Sequence, residues 1–287
     1  MSNPPTITAA AAGTITIGGD LTVNRLGFGA MRIVGTGVWG PPPDRETAKS
    51  VLRHALERDV DFIDTADSYG PDVSEELIAE ALFPYPAGLV IATKGGFLRS
   101  GPGEWTPDGR PAHLRGVLEG SLRRLRLDRI DLYQLHRPDP KVPYAESVGA
   151  LAELQRAGKI RHIGVSNVSV EQLALARSIV PVVSVQNRYN YEDRSSEDLL
   201  DACTKDGLAF LPWAPVGGSS PFKQQTLERL ARDHHATPLQ IALAWLLKRS
   251  PVMLPIPGTG SLQHFEENLT AASLHLSPAE FKLLGDA

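Results

Sequence analysis

Four polar residues of the chain could together form a proton-transfer unit. Asp64 and Tyr69 stand in "FIDTADSY", Lys94 follows "VIAT" and His136 follows "LYQL". Tyrosine is a poor acid at neutral pH, but a lysine ammonium ~4 Å away would stabilise the tyrosinate by roughly 4 kcal/mol at an effective dielectric constant of ~20. That is about 3 pKa units before the cost of burial. We therefore predict that Lys94 lowers the pKa of Tyr69 and makes it an acid–base group.

The other two residues complete this unit. Asp64 is a natural counter-ion for a partly buried Lys94, and His136 can donate a hydrogen bond that orients a substrate oxygen. Each residue alone also has an ordinary structural interpretation, because a strand-end aspartate often caps a loop and a lone lysine or histidine usually lies at the surface. All four residues belong to the ends of consecutive predicted strands, which favours the catalytic interpretation.

Short β-branched runs alternate with amphipathic helical patterns along the chain. Such alternation indicates a parallel sheet with right-handed crossovers. Eight units in 287 residues predict an α/β fold, one (β/α)8 TIM barrel that forms a single domain over 1–287. An open, doubly wound sheet is the alternative. The segment 14–23 predicts an additional β-hairpin that caps the bottom of the barrel. The predicted strands are 25–29, 62–64, 89–93, 130–134, 162–166, 182–186, 208–212 and 252–256.

A parallel barrel would bring the four candidate residues together. The C-terminal ends of its strands all lie at one rim. Asp64, Lys94 and His136 follow the second, third and fourth predicted strands, and neighbouring strands are only ~4.8 Å apart. Tyr69 lies in the loop after the second strand, so we expect the four side chains to converge at this rim.

A glycine-rich loop resembles a Rossmann fingerprint but does not fit one. Gly35, Gly37 and Gly40 spell G-x-G-x-x-G, a pattern that binds a pyrophosphate only when it leads directly into a helix. Three prolines, 41–43, follow instead and offer no N–H groups, and the helical pattern starts after Asp44, a residue type that favours the N-cap. We therefore expect a loop at the C-terminal rim and a dinucleotide site elsewhere.

The bulk properties exclude several classes of protein. The net charge is −4 and the isoelectric point is near 6.1, so no broad positive field favours nucleic acid or a membrane surface. No run approaches the ~20 apolar residues of a membrane helix, and no basic residue precedes Arg25, unlike a secretory signal. The single cysteine, Cys203, allows neither an internal disulfide nor a cysteine zinc site, and its helical context predicts a buried structural residue. We expect a cytoplasmic protein.

Over nearly its whole length the sequence resembles the aldo-keto reductase superfamily. The family's D-x4-Y pattern, strand-three lysine and strand-four histidine match Asp64, Tyr69, Lys94 and His136, and "GKIRHIGVSN" (158–167) is its strongest local signature. The resemblance implies NADPH-dependent reduction of a small-molecule carbonyl on a (β/α)8 barrel. Hydride would pass from the nicotinamide to the carbonyl carbon, and Tyr69 would protonate the oxygen. No metal is implied, and no protein partner is evident.

Three later segments, "VQNRYN", "PWAPVGG" and "IPGTGSLQHFEENL", match the family's cofactor segments in order. Hydroxyl and amide groups at the ends of strands five and six can bind the carboxamide, and Trp213 can stack on the nicotinamide, with core packing as its alternative. The following loop offers N–H groups near the pyrophosphate, and the last helix N-terminus favours an anion. The implied cofactor residues are Ser166, Asn167, Gln186, Trp213, Ala214, Pro215, Val216, Gly217, Gly218, Gly258, Thr259, His264, Glu267 and Asn268.

The adenosine end of this predicted site departs from the family pattern. Relatives usually carry an arginine where His264 stands, which grips the 2′-phosphate, and often a lysine near Gly258. Neither cation is present here, which leaves Thr259, the helix N-terminus and His264. NADPH remains the expected cofactor, with NADH as a possible one.

Aromatic side chains are expected to line the substrate pocket. Many relatives close this pocket with a long C-terminal loop, and its absence here would leave the pocket open. The loops around it look most like those of bacterial reductases acting on pyridoxal, which gives a flat aldehyde as a substrate lead. The alternative is a redox-sensing regulatory subunit, as in some channel-associated members of the family. The expected lining residues are Met31, Trp39, Tyr69, Phe97, Trp105 and Trp213.

Overall fold

A computed structural model describes residues 6–217 and 225–285. Seven parallel strands form one curled sheet in the order β11-β10-β9-β8-β5-β4-β3, and two small antiparallel hairpins, β1-β2 and β6-β7, stand apart from it. The strands are β1 (Thr14–Ile17), β2 (Leu21–Asn24), β3 (Phe28–Gly29), β4 (Phe62–Asp64), β5 (Val90–Gly95), β6 (Phe97–Leu98), β7 (Thr106–Pro107), β8 (Ile130–Leu135), β9 (Ile160–Ser166), β10 (Val182–Gln186) and β11 (Ala209–Phe210).

Helices follow most strands of the sheet, as the alternating pattern predicted. The α-helices are α1 (Arg45–Glu57), α2 (Val73–Leu82), α3 (Pro111–Leu125), α4 (Tyr144–Arg156), α5 (Val170–Ile179), α6 (Glu197–Asp206), α7 (Gln225–Asp233), α8 (Pro238–Arg249), α9 (Leu262–Thr270) and α10 (Pro278–Gly285). Short 3-10 helices cover Ala9–Ala12, Ala30–Ile33, Thr36–Val38 and Ala271–Ser273. In the described part of the chain, no helix combines the length and apolar character needed to cross a membrane.

The eighth predicted strand is an extended segment that joins the two edges of the sheet. On one side, the Phe210 amide donates to the Val252 carbonyl and the Leu254 amide to the Phe210 carbonyl, both at 2.9 Å. On the other side, Gly27 donates to Pro255 at 2.9 Å and Gly29 to Pro257 at 3.4 Å. The two residues that accept on this side, prolines 255 and 257, have no N–H to donate in return. This arrangement is consistent with a (β/α)8 barrel.

The predicted N-terminal hairpin is present, with Thr14 paired to Asn24 and Ile17 to Leu21. Its turn uses Gly18 and Gly19, which have φ of 62° and 84°, a conformation that glycine adopts without steric cost. Ile17 and Leu21 belong to the same buried cluster as apolar residues of β4, β5, β8 and β11.

The glycine-rich segment is a loop after β3, as predicted. Gly40 donates to the Gly70 carbonyl and Gly70 to the Val38 carbonyl at 3.2 Å, so the loop is fastened to the loop that follows β4. The next helix starts only at Arg45, and the Asp44 side chain accepts from the amides of its first turn, which confirms the predicted N-cap.

Cys203 lies on α6 and is fully buried. Burial raises the pKa of its thiol to about 12, so the thiolate that a reactive cysteine requires is not formed at neutral pH. The predicted structural role is therefore supported.

Candidate active site

Three neighbouring parallel strands carry the four candidate residues to one end of the sheet. Asp64 is the last residue of β4, Lys94 is the penultimate residue of β5, and His136 directly follows β8. The register pairs Asp64 with Ala92, and Lys94 with Gln134. Tyr69 lies in the loop between β4 and α2. The predicted convergence of these side chains is therefore observed.

Lys94 is the centre of the cluster and is fully buried. Its ammonium donates to the Asp64 carboxylate at 2.6 Å, to the Thr65 carbonyl at 2.8 Å and to the Tyr69 hydroxyl at 3.3 Å. These three contacts use all three of its N–H bonds. Because the Tyr69 oxygen accepts from Lys94, the hydroxyl proton of Tyr69 is left to point elsewhere.

Asp64 is held by two amide side chains as well as by Lys94. Its Oδ1 accepts from Gln134 Nε2 at 3.0 Å and from Gln186 Nε2 at 2.8 Å, and the Gln186 amide also lies 3.2 Å from Gln134 Oε1. Gln186, predicted as a carboxamide ligand, is thus bound to the counter-ion of the lysine. Gln134 was not anticipated, since a glutamine inside a strand carries no distinctive sequence signal.

The electrostatics of Tyr69 differ from the prediction. Burial raises the pKa of Tyr69 and the Asp64 carboxylate adds to this effect, so that the lowering by Lys94 is outweighed. The predicted lowered pKa is therefore wrong, because desolvation of the buried phenol exceeds the Coulombic effect of the lysine. Burial also opposes the charge of Lys94, but Asp64 and the Tyr69 oxygen outweigh it and raise the lysine pKa. A protonated tyrosine thus lies beside a charged lysine at neutral pH.

His136 is neutral at neutral pH. Burial lowers its pKa well below the usual value, and the positive charges of Lys94, Arg137 and Arg99 act in the same direction. The ring lies 5.8 Å from the ring of Tyr69. A neutral imidazole carries one N–H, so His136 can donate one hydrogen bond, as predicted for it.

Aromatic rings enclose His136 and Tyr69. The Phe97 ring lies 4.7 Å from that of His136 and 5.3 Å from that of Trp105, and Trp105 lies 6.3 Å from Tyr69. Phe97 comes from β6, and Trp105 immediately precedes β7. This short hairpin was not predicted as an element, although both of its aromatic residues were expected at the pocket.

Two more of the expected pocket residues come from the segment after β3. Met31 lies in the 3-10 helix Ala30–Ile33 and Trp39 lies in the glycine-rich loop, and both side chains are half-buried. The Arg99 guanidinium lies 3.6 Å from the centre of the Trp105 ring and 5.7 Å from that of Trp39. Arg99 thus connects two of the expected pocket residues, a role that no sequence pattern indicates.

Asn167 connects three elements at the same end of the sheet. Its Oδ1 accepts from the Trp213 indole and from Arg137, each at 3.1 Å. Its amide donates to the His136 carbonyl at 3.1 Å and to the Ser166 hydroxyl at 2.9 Å. Trp213, predicted to stack on a nicotinamide, is half-buried and is oriented by this contact. The guanidinium of Arg188 lies 5.7 Å from its ring.

The remaining predicted cofactor residues form two groups near the last strands. Ala214–Gly217 contains a turn in which the Gly217 amide donates to the Ala214 carbonyl at 3.0 Å, and Pro215 and Val216 lie within it; Gly218 is outside the described residues. Gly258 and Thr259 precede α9, whose N-cap is Ser261. His264 is exposed in the first turn of α9, and Glu267 and Asn268 are half-buried further along it.

These residues fit a nicotinamide dinucleotide by type. The rim offers an oriented indole, the buried hydroxyl of Ser166 and an accessible helix N-terminus that favours an anion. By contrast, no three His, Cys, Asp or Glu side chains in the described ranges are grouped so that they could hold a metal ion.

Comparisons with known proteins agree on one family. The model of the aldo/keto reductase family matches residues 25–287. The pyridoxine 4-dehydrogenase of Escherichia coli is 46% identical over 273 residues, which cover 93% of this chain and 95% of the relative. Among solved structures, the thermostable aldo-keto reductase Tm1743, in complex with the inhibitor epalrestat, aligns with a TM-score of 0.84 and 35% identity over 95% of this chain and 98% of its own.

A second solved structure carries a cofactor. The aldo-keto reductase of Klebsiella pneumoniae in complex with NADPH aligns with a TM-score of 0.80 and 26% identity, over 95% of this chain and 94% of its own. The family model covers most of the chain, and the Escherichia coli relative is matched over nearly its whole length. The chain therefore belongs to the aldo/keto reductase family and is an NAD(P)H-dependent oxidoreductase.

Proposed function

We propose that this chain is an NADPH-dependent reductase of flat aromatic aldehydes, with pyridoxal as the first substrate to test. One observation carries the proposal. The Tyr69 hydroxyl accepts from Lys94 at 3.3 Å, and the Tyr69 ring lies 5.8 Å from that of a neutral His136, next to a wall formed by Phe97 and Trp105. A carbonyl oxygen at this point would meet two hydrogen-bond donors, and a planar ring would meet aromatic faces and edges.

The chemistry divides between the cofactor and the side chains. NADPH, when bound, supplies the hydride that the carbonyl carbon receives. Tyr69 donates its hydroxyl proton to the carbonyl oxygen as negative charge develops there, so the carbonyl becomes an alcohol and Tyr69 becomes a tyrosinate. The ammonium of Lys94 stabilises that tyrosinate, and His136 orients the oxygen by donating a hydrogen bond.

The raised pKa of Tyr69 fits this direction of reaction. A tyrosine that remains protonated at neutral pH is ready to act as an acid, whereas the reverse oxidation requires the tyrosinate as a base. Lys94 therefore acts mainly after proton transfer, when the anion has formed next to it. We infer that near neutral pH the free site already carries the proton that reduction requires.

Ser166, Gln186 and Trp213 would hold the nicotinamide in this proposal, and the turn of Ala214–Gly217 with the N-terminus of α9 would hold the phosphates. The complex of the Klebsiella relative with NADPH supports this choice of cofactor. A single exposed histidine, His264, replaces the usual cation at the adenosine end. Its imidazole cannot present the planar, bidentate set of donors that an arginine offers to a phosphate, so we expect modest rather than absolute preference for NADPH over NADH.

We also propose the scaffold on which this site depends. It is one domain, a (β/α)8 barrel closed by 252–257, with the β1-β2 hairpin covering the end opposite the active site. The hydrogen bonds of 252–257 to both edges support the closure. The burial of Ile17 and Leu21 among β4 and β5 residues supports the position of the hairpin, because Phe62 and Val90 of that cluster begin their strands.

The test is a screen of aldehydes and ketones with NADPH and with NADH, in which turnover is measured as the loss of absorbance of the reduced cofactor. The name of the Escherichia coli relative, pyridoxine 4-dehydrogenase, supports including pyridoxal. In the Tyr69→Phe variant we expect turnover to fall by about 10²-fold or more, since the general acid is removed. NADPH affinity, measured by titration, should be unchanged.

The matched control is Tyr144→Phe. The Tyr144 hydroxyl is buried outside the site and has no hydrogen-bond partner among the described residues, so its removal should leave turnover within about twofold of the wild type. Near-normal turnover in Tyr69→Phe would refute the role of Tyr69. NADPH binding without turnover of any carbonyl would instead favour the regulatory-subunit alternative.

A further inference from the structure

A buried serine contacts the ring of His136 on the nitrogen that the mechanism does not use. The Ser68 hydroxyl lies 3.3 Å from His136 Nδ1, and both residues are less than a tenth exposed. Ser68 immediately precedes Tyr69 in the loop after β4. One short loop segment therefore carries the Tyr69 hydroxyl and also contacts the His136 ring.

The backbones on both sides of this contact are fixed. The Ser68 carbonyl accepts from Arg99 at 2.7 Å. The His136 amide donates to the Gly95 carbonyl at 2.9 Å, and its carbonyl accepts from Asn167 at 3.1 Å. The hydroxyl and the ring thus have little freedom to separate, and the contact is a stable feature of the site.

We propose that Ser68 is a positioning residue that donates its hydroxyl proton to His136 Nδ1 and so keeps the imidazole proton on Nε2. The proposal rests on the proposed function, in which the imidazole donates to a carbonyl oxygen. A neutral imidazole has one donor and one acceptor nitrogen. If Nδ1 accepts from Ser68, Nε2 must be the donor.

The opposite arrangement would disable the site. If Nδ1 carried the proton and donated to Ser68, Nε2 would present a lone pair to the carbonyl oxygen, which is itself an acceptor. The neutrality of His136, caused first by burial and then by the charges of Lys94, Arg137 and Arg99, makes the tautomer matter, because an imidazolium would donate from both nitrogens. When Ser68 donates to Nδ1, the contact favours the neutral form that the proposed mechanism requires.

The direct test is nitrogen-15 NMR of the histidine rings in the free, full-length protein near neutral pH. Long-range proton–nitrogen correlations distinguish the two tautomers, and the His136→Gln spectrum identifies the His136 signals. We expect the Nε2–H form in the wild type and in Ser68→Thr, which keeps the hydroxyl. In Ser68→Ala we expect a mixture of tautomers and a fall in kcat of about 3- to 10-fold, the effect of one neutral hydrogen bond.

The control is Ser184→Ala, which removes a buried hydroxyl on β10 that has no hydrogen-bond partner in the described part of the chain. It should change neither the His136 signals nor kcat. An Nδ1–H form in the wild type would overturn the proposal even if Ser68→Ala failed to fold. An unchanged tautomer in a folded Ser68→Ala would overturn it as well, whatever happens to kcat. These spectra require no substrate, so they stand apart from the Tyr69→Phe test of the proposed function.

Discussion

At the scale of single residues, the reactivity of Tyr69 results from two opposed effects. Burial favours the neutral phenol, and the adjacent Lys94 favours the phenolate. Burial is the larger effect, and Asp64 weakens the influence of Lys94 because it holds the same ammonium at 2.6 Å. Tyr69 is therefore protonated before the reaction, and Lys94 stabilises the phenolate once the proton has been transferred.

This balance predicts different pH profiles for the two directions of reaction. The protonated form of Tyr69 exists below its raised pKa, so kcat for aldehyde reduction should be nearly constant between about pH 6 and 9. Oxidation of the matching alcohol needs the tyrosinate and should rise through the same range. In Lys94→Met the lowering influence is lost, so residual oxidation should require still higher pH. Steady-state kinetics in both directions, for both proteins, would show this.

Two results would contradict that account. One is a reduction rate that falls steeply as pH rises toward 9, because it would mean that Tyr69 titrates at or below its ordinary pKa. The other is a Lys94→Met variant with full activity and the wild-type profile. Arg115→Met is a suitable control, since among the described residues its exposed guanidinium pairs with the exposed Glu153 alone, between α3 and α4, and such pairs contribute little.

At the scale of elements, Arg99 fastens three loops around the pocket. It donates to the carbonyls of Gly37 and Val38 after β3, of Ser68 after β4, and of Gly101 and Glu104 in the β6-β7 hairpin, at 2.7 to 3.3 Å. These contacts use all five N–H bonds of the guanidinium. The guanidinium also lies over the Trp105 ring, 3.6 Å from its centre. The aromatic wall of the pocket is therefore positioned by one side chain.

Replacement of Arg99 by lysine should loosen that wall. Lysine keeps the charge but cannot present the planar set of five donors or the stacking surface. We expect KM for an aromatic aldehyde to rise several-fold, with a smaller change for a short aliphatic aldehyde and unchanged NADPH affinity. Hydrogen exchange should become faster at the amides of 38–40 and 68–70, as measured by mass spectrometry.

Arg110→Lys is the matched control for this prediction. Arg110 lies just beyond the same hairpin, its side chain is 67% exposed, and it pairs with Asp108. Its replacement should change neither KM nor local exchange, because lysine keeps the positive charge beside Asp108 and most of the Arg110 side chain lies in solvent. Equal KM increases for the aromatic and the aliphatic aldehyde in Arg99→Lys would argue against a role in shaping the aromatic wall.

The elements show how far sequence patterns reach. The buried residues of α5 (Val170–Ile179), Leu173 and Ala176, lie three positions apart, a spacing that indicates a helix from the sequence alone. Helix α8 gives a weaker sequence signal, since a run of buried residues, Ile241–Leu246, leaves it without a polar face over that stretch. The β6-β7 hairpin has strands of only two residues, too short to produce an alternating pattern.

The site shows the same limit. The sequence predicted the convergence of four side chains, because polar residues follow consecutive strands and the C-terminal ends of parallel strands lie at one rim. These residues are Asp64, Tyr69, Lys94 and His136. Gln134, Ser68 and Arg99 could not be predicted, since their contacts depend on distances between side chains from separate strands and loops. The sign of the Tyr69 pKa shift was also beyond the sequence, because it depends on the degree of burial.

At the scale of the whole molecule, hydrogen bonds join 27–29 to the extended segment 252–257, and we call this junction the seam. Proline carbonyls in that segment accept from Gly27 and Gly29. The backbones approach so closely that a Cβ added at Gly29 would lie 2.6 Å from the Ile256 carbonyl oxygen, and one added at Gly258 would lie 2.2 Å from the Gly29 oxygen. Only glycine fits at these two positions, so the seam depends on them.

Substitution of Gly29 by alanine should open this seam. The added methyl group collides with backbone rather than with a movable side chain, and such overpacking costs about 1 to 3 kcal/mol. For a chain of this size, Tm should fall by roughly 2 to 12 °C. Activity should fall with it, because Gly29 pairs in register with Asp64 and a shift of β3 would displace the carboxylate that holds Lys94.

Gly116→Ala is the control: Gly116 is an exposed residue of α3 with open space where a Cβ would be added, so alanine should raise stability by about 0.5 to 1 kcal/mol. Calorimetry and aldehyde turnover of both variants give the comparison. A Gly29→Ala protein as stable and as active as the Gly116→Ala protein would show that the seam is not closely packed and that the active site does not depend on it.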